Sequence, residues 1–199
     1  MRVSHILTVA IAGALVVACG KKPEPEVSAT PAVDSAAMMR ARQDSIDAAN
    51  RRRAEEEARQ RAEQERLARE AAERMAALRS DLEAKIHFDY DQAKVQQGDQ
   101  QILDRKAAIL QANSSVTLRI EGNADARGSD EYNLALGNRR ALAAKQYLVN
   151  KGIDGSRLET LSNGEEKPIA QGTDEGAYAQ NRRDDFVITA GADNLVAPQ

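Results

Sequence analysis

The chain has 199 residues, room for one ordinary domain plus extensions, and a net charge of −3 that points neither toward nor away from nucleic acid. One cysteine excludes an intrachain disulfide framework and any CxxC metal site, and two histidines leave too few ligands for a zinc centre or a Cys–His nucleophile. All six aromatic residues lie beyond position 85. The bulky side chains that build a core are therefore confined to the last ~115 residues, a length that buries an adequate one.

In chain order, residues 1–18 read as a signal peptide: Arg2 near the start, then an apolar run from Ile6 to Val17. That run is too short to span a bilayer but suits a secretory core. It ends in Val-Val-Ala-Cys, which resembles a bacterial lipobox, so Cys19 is expected to be lipidated. Two or more acyl chains there anchor a protein stably. By the same resemblance, Gly20 after the cysteine favours the outer membrane. Residues 19–34 carry Pro23, Pro25 and Pro31 and read as an extended tether.

From Arg40 to Glu83 there is no Pro or Gly, and residues 40–84 hold eleven Arg, eleven Asp plus Glu and no Lys. Such strong helix formers predict one long charged helix over 35–84. Pairs such as Glu65–Arg69 and Glu70–Arg74 fall at helix-neighbour spacing. Large apolar residues are sparse and no heptad is sustained, so a solvated spacer of roughly 68 Å fits better than a coiled coil, though a weak one stays open.

Beyond Ala84 the periods change. Lys85–Asp91 alternates, which predicts a strand with Ile86, Phe88 and Tyr90 facing one way. Asp99 is placed to cap a helix running to about Ala112, with Ile102, Leu103, Ala107 and Leu110 inward. Val116, Leu118 and Ile120 alternate in a second strand. Ser129 caps a helix that stops at Gly152. Residues 157–164 read as a strand, 174–182 as a short helix and 185–190 as a closing strand. The order β-α-β-α-β-(α)-β predicts an α+β domain over 85–190, a mixed sheet with helices packed on it, and 191–199 as a tail.

The charged corner between the second strand and the following helix, residues 122–140, attracts attention. Asp125 and Arg127 sit in its loop; Asn133, Arg139 and Arg140 are on the helix. With Leu134, Gly137, Ala141, Ala144 and Leu148 as the buried stripe, Arg139 points to water, whereas Arg140 lies about 70° from the stripe's centre, at its border. A border arginine has a packed stem and a directed head. Asn133 shares nearly the same azimuth, about 10 Å nearer the loop. From the residues alone, Asp125 can equally bond its own turn and Arg140 can be an ordinary ion-paired helix residue; Arg127 is undecided.

Four segments in register, FDYD, EGNADARGSDEYNLALGNRRA, SNGEEKP and AYAQNRRDDFVI, resemble the OmpA-like peptidoglycan-binding domain, in the form carried by peptidoglycan-associated lipoproteins. The resemblance covers about 86–190. Asn123 stands where that family usually has His, and the helix at 35–84 exceeds the family's usual tether. The resemblance implies non-covalent binding of the diaminopimelate residue of the peptidoglycan stem peptide. An ammonium and a carboxylate share that residue's distal carbon, so a site needs a carboxylate for the first and a guanidinium for the second. It carries those roles to Asp125 and Arg140, with Asn133 at the rim, a contact region around Asp89, and a second arginine at Arg182. It implies no cofactor and no metal, and a role linking outer membrane to cell wall, either with the periplasmic Tol proteins in cell division or independently of them. A helical-rod envelope protein is the structural alternative. An enzyme finds no pairing motif among its carboxylates.

Overall fold

A computed structural model describes residues 34–198. The expected signal peptide, Cys19 and all of the tether except Asp34 lie outside the described residues. The chain divides into two units, Met1–Ala54 and Glu55–Gln199. Helix α1 (Ser35–Glu83) runs through both, capped at its start by the Asp34 carboxylate, which accepts from Ala36 and Ala37 N–H. Its surface is almost wholly exposed and laced by pairs such as Arg66 with Glu63 and Glu70. Among the described residues no helix is long and apolar enough to cross a membrane.

In the second unit the elements follow as β1 (Ile86–His87), α2 (Gln97–Ala112), β2 (Thr117–Asn123), α3 (Asp130–Asn150), β3 (Leu158–Gly164), α4 (Glu175–Asn181) and β4 (Arg183–Ala190). They build the expected α+β mixed sheet, in the order β1-β4-β2-β3. β2 pairs parallel with β3, joined through α3, and antiparallel with β4. The core lies between sheet and helices: Leu118, Ile120 and Phe186 from the strands meet Leu103, Leu110, Ala141, Ala144 and Leu148. The last turn of α1 joins it through Leu82.

Four local expectations are corrected. The first strand is only two residues long, because the chain turns at Phe88–Gln92: Gln92 N–H donates to Asp89 O, and Asp91 adopts φ 56°. Tyr90 is thereby exposed rather than inward. Helix α2 starts at Gln97, and Asp99 lies in its first turn. Its carboxylate accepts from the His87 N–H, so it ties α2 to β1 instead of capping. Along α3, Leu134 is exposed and Leu136 buried. At 100° per residue that change turns the buried face about 25° toward Arg140. The segment after 190, expected as a tail, packs onto the domain: Leu195 joins the core, and the Asn113 side chain pairs with both backbone groups of Val196.

One contact sets where α3 sits. A Cβ on Gly122 would lie 2.6 Å from the Gly137 carbonyl carbon, and one on Gly137 2.6 Å from the Gly122 oxygen. Strand and helix backbones touch there, so the residues flanking Gly137 on α3 are held directly over the end of β2.

Candidate functional site

The end of β2, the loop to α3 and the turn after β1 enclose a cavity of about 150 Å³ lined by Tyr90, Asp91, Asp125, Arg127, Tyr132, Asn133, Leu136 and Arg140. Ser129 starts α3 beneath it; its hydroxyl accepts from Tyr132 N–H at 3.3 Å. The capped first turn fixes Tyr132 and Asn133 against the loop.

Asp125 is buried, with 4% of its surface exposed, and both oxygens are engaged. One accepts from the Arg127 N–H and Nε, each at 3.1 Å; the other accepts from Arg127 Nη2 at 2.6 Å and Arg182 Nη1 at 3.2 Å. Burial alone would raise its pKa, but the hydrogen bonds from the two arginines outweigh burial and hold it below the ordinary carboxylate range. Arg127 is the brace of the loop. Its guanidinium lies between the rings of Tyr90 and Tyr178, 4.1 and 4.3 Å from their centroids, and reaches Glu175 at 3.2 Å. Arg182 is also buried. It donates to Phe88 O at 3.0 Å and pairs with Glu175 at 2.8 Å, so it ties the turn after β1 to Asp125.

Arg140 is not at a border but fully buried at the deep end of the cavity. It donates to three backbone carbonyls: Gln92 at 2.8 Å, Asn123 at 2.7 Å and Asp89 at 3.2 Å. These use three of its five N–H donors. Its face lies 5.1 Å from the Phe88 ring centroid. No carboxylate hydrogen-bonds it, and burial lowers its pKa to about 10. Asp184 acts on it through space. Both oxygens of that side chain are buried with no hydrogen-bond partner, and burial raises its pKa well above the ordinary range, which favours the neutral acid.

Thus Asp125 and Arg140 share the cavity without bonding each other. Asn133 forms its wall, buried, its amide donating to Glu165. Asp89 contributes its carbonyl to Arg140, while its side chain lines a neighbouring groove of about 730 Å³ with Gln92, Lys94 and Val95. Asn123 bonds in three directions. Its carbonyl accepts from Arg140, its amide NH2 donates to Glu121 O at 2.9 Å and Asp185 at 3.1 Å, and its amide oxygen accepts from Asn163 at 3.1 Å. Sequence reasoning took Tyr90 only as backbone of the contact region around Asp89 and missed Asp91, Tyr132 and Tyr178. The signal for the first two was the FDYD motif, whose last residues they are. Among the described residues no cluster of His, Cys, Asp or Glu is arranged to hold a metal ion.

The sheet order, the β2–α3 glycine contact and the arginine-braced loop define an OmpA-type domain, and residues 87–182 match the OmpA family model. A crystal structure of the peptidoglycan-associated lipoprotein from Burkholderia pseudomallei is 42% identical with a TM-score of 0.52, covering 53% of this chain and 89% of that one. The chain belongs to the OmpA family. Its curated relatives include the peptidoglycan-associated lipoproteins of Haemophilus influenzae, 49% identical over 98 residues, and of Pasteurella multocida, 47% identical over 98 residues. The match spans 49% of this chain in both cases, and 64% and 65% of those proteins, just under two thirds of their length. The C-terminal domain of Helicobacter pylori MotB, 19% identical with a TM-score of 0.51 over 56% of this chain and 88% of that one, shares the fold.

Proposed function

We propose that this chain grips peptidoglycan non-covalently and links it to the outer membrane, the cavity at the β2–α3 corner receiving the distal end of a diaminopimelate residue. The observation that carries this reading is the state of Arg140: a buried guanidinium facing a small cavity with no carboxylate bonded to it. A buried charge left unpaired by the protein is matched by a ligand carboxylate. The names of the relatives at 42–49% identity support the same reading. Arg140 has no exposed surface without ligand, so a carboxylate entering the cavity first meets its field. Two-pronged contact follows when the Tyr90 and Tyr132 wall gives way.

In this reading Asp125, Arg127 and Arg182 form a pre-assembled frame, Asn133 a wall and the Asp89 carbonyl a support for Arg140. The role is binding, not catalysis. Lipid on Cys19 supplies the other end of the link. If Cys19→Ser stays with the membrane fraction at high salt, the anchor is wrong. The resemblance extends the proposal to engagement of periplasmic Tol proteins, tested by cross-linking in cells with and without them. The central test is co-sedimentation of the chain with diaminopimelate-type sacculi. Loss of pelleting on Asp125→Ala plus Arg140→Ala is expected; full retention sinks the proposal. Lysine-type sacculi lack the distal carboxylate and are expected to bind more weakly.

A further inference from the structure

The start of α1 carries a pattern that a solvated spacer does not need. Residues 40–53 hold five Arg against two Asp, and residues 55–65 hold five Glu against two Arg. A helix held up by its own ion pairs mixes the signs; this one separates them, basic at the end nearer Cys19 and acidic beyond. Among the described residues the ion pairs of α1 begin with Glu57 and Arg61, past the basic stretch. Arg51 Nε donates to the Asp47 carbonyl at 3.3 Å and leaves that carboxylate to Gln43.

The same stretch presents apolar side chains. Met38, Met39 and Ile46 are 63%, 71% and 45% exposed, and the one other exposed large apolar residue of α1 is Leu67. At 100° per residue, Met38, Met39, Ile46 and Ala49 share an arc of about 100° with Arg42 and Arg53, while Asp44 and Asp47 lie about 80° or more outside it. One side of the first five turns is therefore apolar and basic, with no acid on it. Arginine stems lie along apolar surface while their heads reach outward. A second copy of α1 would offer this side the acidic stretch 55–65, but that stretch has no apolar residue larger than Ala to pack on it. An anionic lipid surface offers both partners, charged headgroups for the arginines and an acyl boundary for Met and Ile. The helix is not apolar enough to cross a bilayer, so its place is on the surface. With Cys19 at the membrane, the fifteen residues from Gly20 to Asp34 reach at most about 50 Å, which keeps Ser35 close to it.

We propose that residues 35–53 of α1 form a second membrane contact, seating Met38, Met39 and Ile46 in the headgroup boundary of an anionic bilayer with Arg42 and Arg53 on its phosphates. The acidic stretch 55–65 is repelled by the same surface, so the helix leaves it at a slant. The contact goes beyond the acyl anchor and the grip on peptidoglycan. The anchor raises its occupancy but does not create it.

The test uses the chain from Gly20 onward, which keeps every described residue and lacks the apolar leader and Cys19. It is floated with vesicles of phosphatidylcholine containing about 30% phosphatidylglycerol, at roughly 50 mM salt so that screening is weak. The chain is expected to float with them. Arg42→Gln plus Arg53→Gln keeps good helix formers and is expected to weaken partitioning about thirtyfold, roughly fivefold per arginine at an anionic surface. Vesicles of phosphatidylcholine alone are expected to bind no better than that variant does. The chain has no tryptophan, so Ile46→Trp supplies a single reporter and Gln60→Trp its control. Anionic vesicles are expected to shift the emission of the first to the blue and leave the second unchanged. Failure to float, unchanged flotation of the double arginine variant, or equal shifts from the two reporters overturns the proposal. An Ile46→Trp emission that moves to the blue with protein concentration in the absence of vesicles also overturns it, in favour of a second copy. Sacculus pelleting and the Cys19→Ser fractionation are independent of every one of these outcomes.

Discussion

Replacing Gly137 with Ala tests how the site is held. The added Cβ would lie 2.6 Å from the Gly122 carbonyl oxygen and closer still to the Ser162 hydroxyl. That is about 1 Å inside a comfortable non-bonded contact of roughly 3.5 Å. The neighbour on one side is strand backbone, which has no rotamer to change, so α3 must lift. Ala gains about 1 kcal/mol over Gly in a helix. Overpacking against a rigid neighbour costs about 3 kcal/mol, and the 2.7 Å bond from Ser162 Oγ to Leu134 O is lost with the lift, about 1 kcal/mol more. The net is a destabilisation of about 3 kcal/mol. Urea unfolding reads it as a midpoint lowered by about 1.5 M at a slope of roughly 2 kcal/mol/M. Gly98 is the internal control: a Cβ there meets nothing within 4 Å, and Gly98→Ala in α2 is expected to stabilise by about 0.5 kcal/mol. Asn133 and Arg140 lie four residues before and three after Gly137, so the lift also displaces both and weakens sacculus binding. A Gly137→Ala chain as stable as wild type refutes the close approach and the argument that it positions the site.

Three further outcomes are expected. Arg127→Ala removes two side-chain hydrogen bonds from Asp125 and leaves Tyr90 and Tyr178 unstacked, so pelleting with sacculi should fall about tenfold; Arg127→Lys should not restore it, because a lysine lacks the two-pronged fork. Lys106 is buried over the Phe186 ring and donates to Asp81 O and Leu82 O, and burial lowers its pKa to about 7. Between about pH 7 and 10 the unfolded chain then holds the proton that the folded chain has released, so this group makes stability rise with pH; unfolding of wild type minus Lys106→Met should drift in favour of wild type across that range, and a flat difference contradicts it. Burial opposes ionisation of Glu121, but hydrogen bonds from Lys167, Asn163 and Arg119 prevail and bring its pKa to about 2. Its folded pKa is depressed, so its contribution is complete above about pH 4.5 and lost as pH falls toward 2; Glu121→Gln should cost about 2 kcal/mol at pH 7 and little at pH 2.

The element order was legible because each period was clean. Val116, Leu118 and Ile120 alternate and are all buried, and Ser129 and Gly152 bracket α3 where the chain turns. The first strand was over-read because Lys85–Asp91 alternates in sequence beyond the point where pairing ends. Only Ile86 and His87 face β4, and the positive φ at Asp91 belongs to a turn whose purpose is to aim carbonyls, not to bury side chains. The buried stripe of α3 was misplaced for a related reason. A hydropathy stripe follows large apolar residues such as Leu134, but this helix is seated by backbone contact at Gly137. The residues beside that contact are buried whatever their polarity, including Asn133 and Arg140. Buried Lys106 and Arg140 donate to backbone carbonyls, which leave no mark in the sequence. The pairing of Asp125 with Arg127 was within reach of the loop spacing; the rings that sandwich Arg127, from two distant segments, were not.

The charges around the cavity explain why its composition says little about its ligand. Arg127, Arg140 and Arg182 face Asp91, Asp125 and Glu175, and the sum is near zero. Pairing decides what remains. Asp125 and Glu175 are both bonded to Arg127 and Arg182, and this closed set of four has no charge left to offer. The nearby Asp184 acts on Arg140 only through space and hydrogen-bonds nothing among the described residues. What survives is Arg140, a guanidinium with no carboxylate bonded to it, in a space that holds a few heavy atoms. Such a site exerts little long-range attraction, and the chain as a whole is weakly acidic. Affinity then depends on short-range fit and desolvation, not on steering. A basic groove that tracks an anionic polymer would release ions and weaken steeply with salt. Here binding to sacculi should change little between 50 and 200 mM salt, roughly the range over which its Debye length halves.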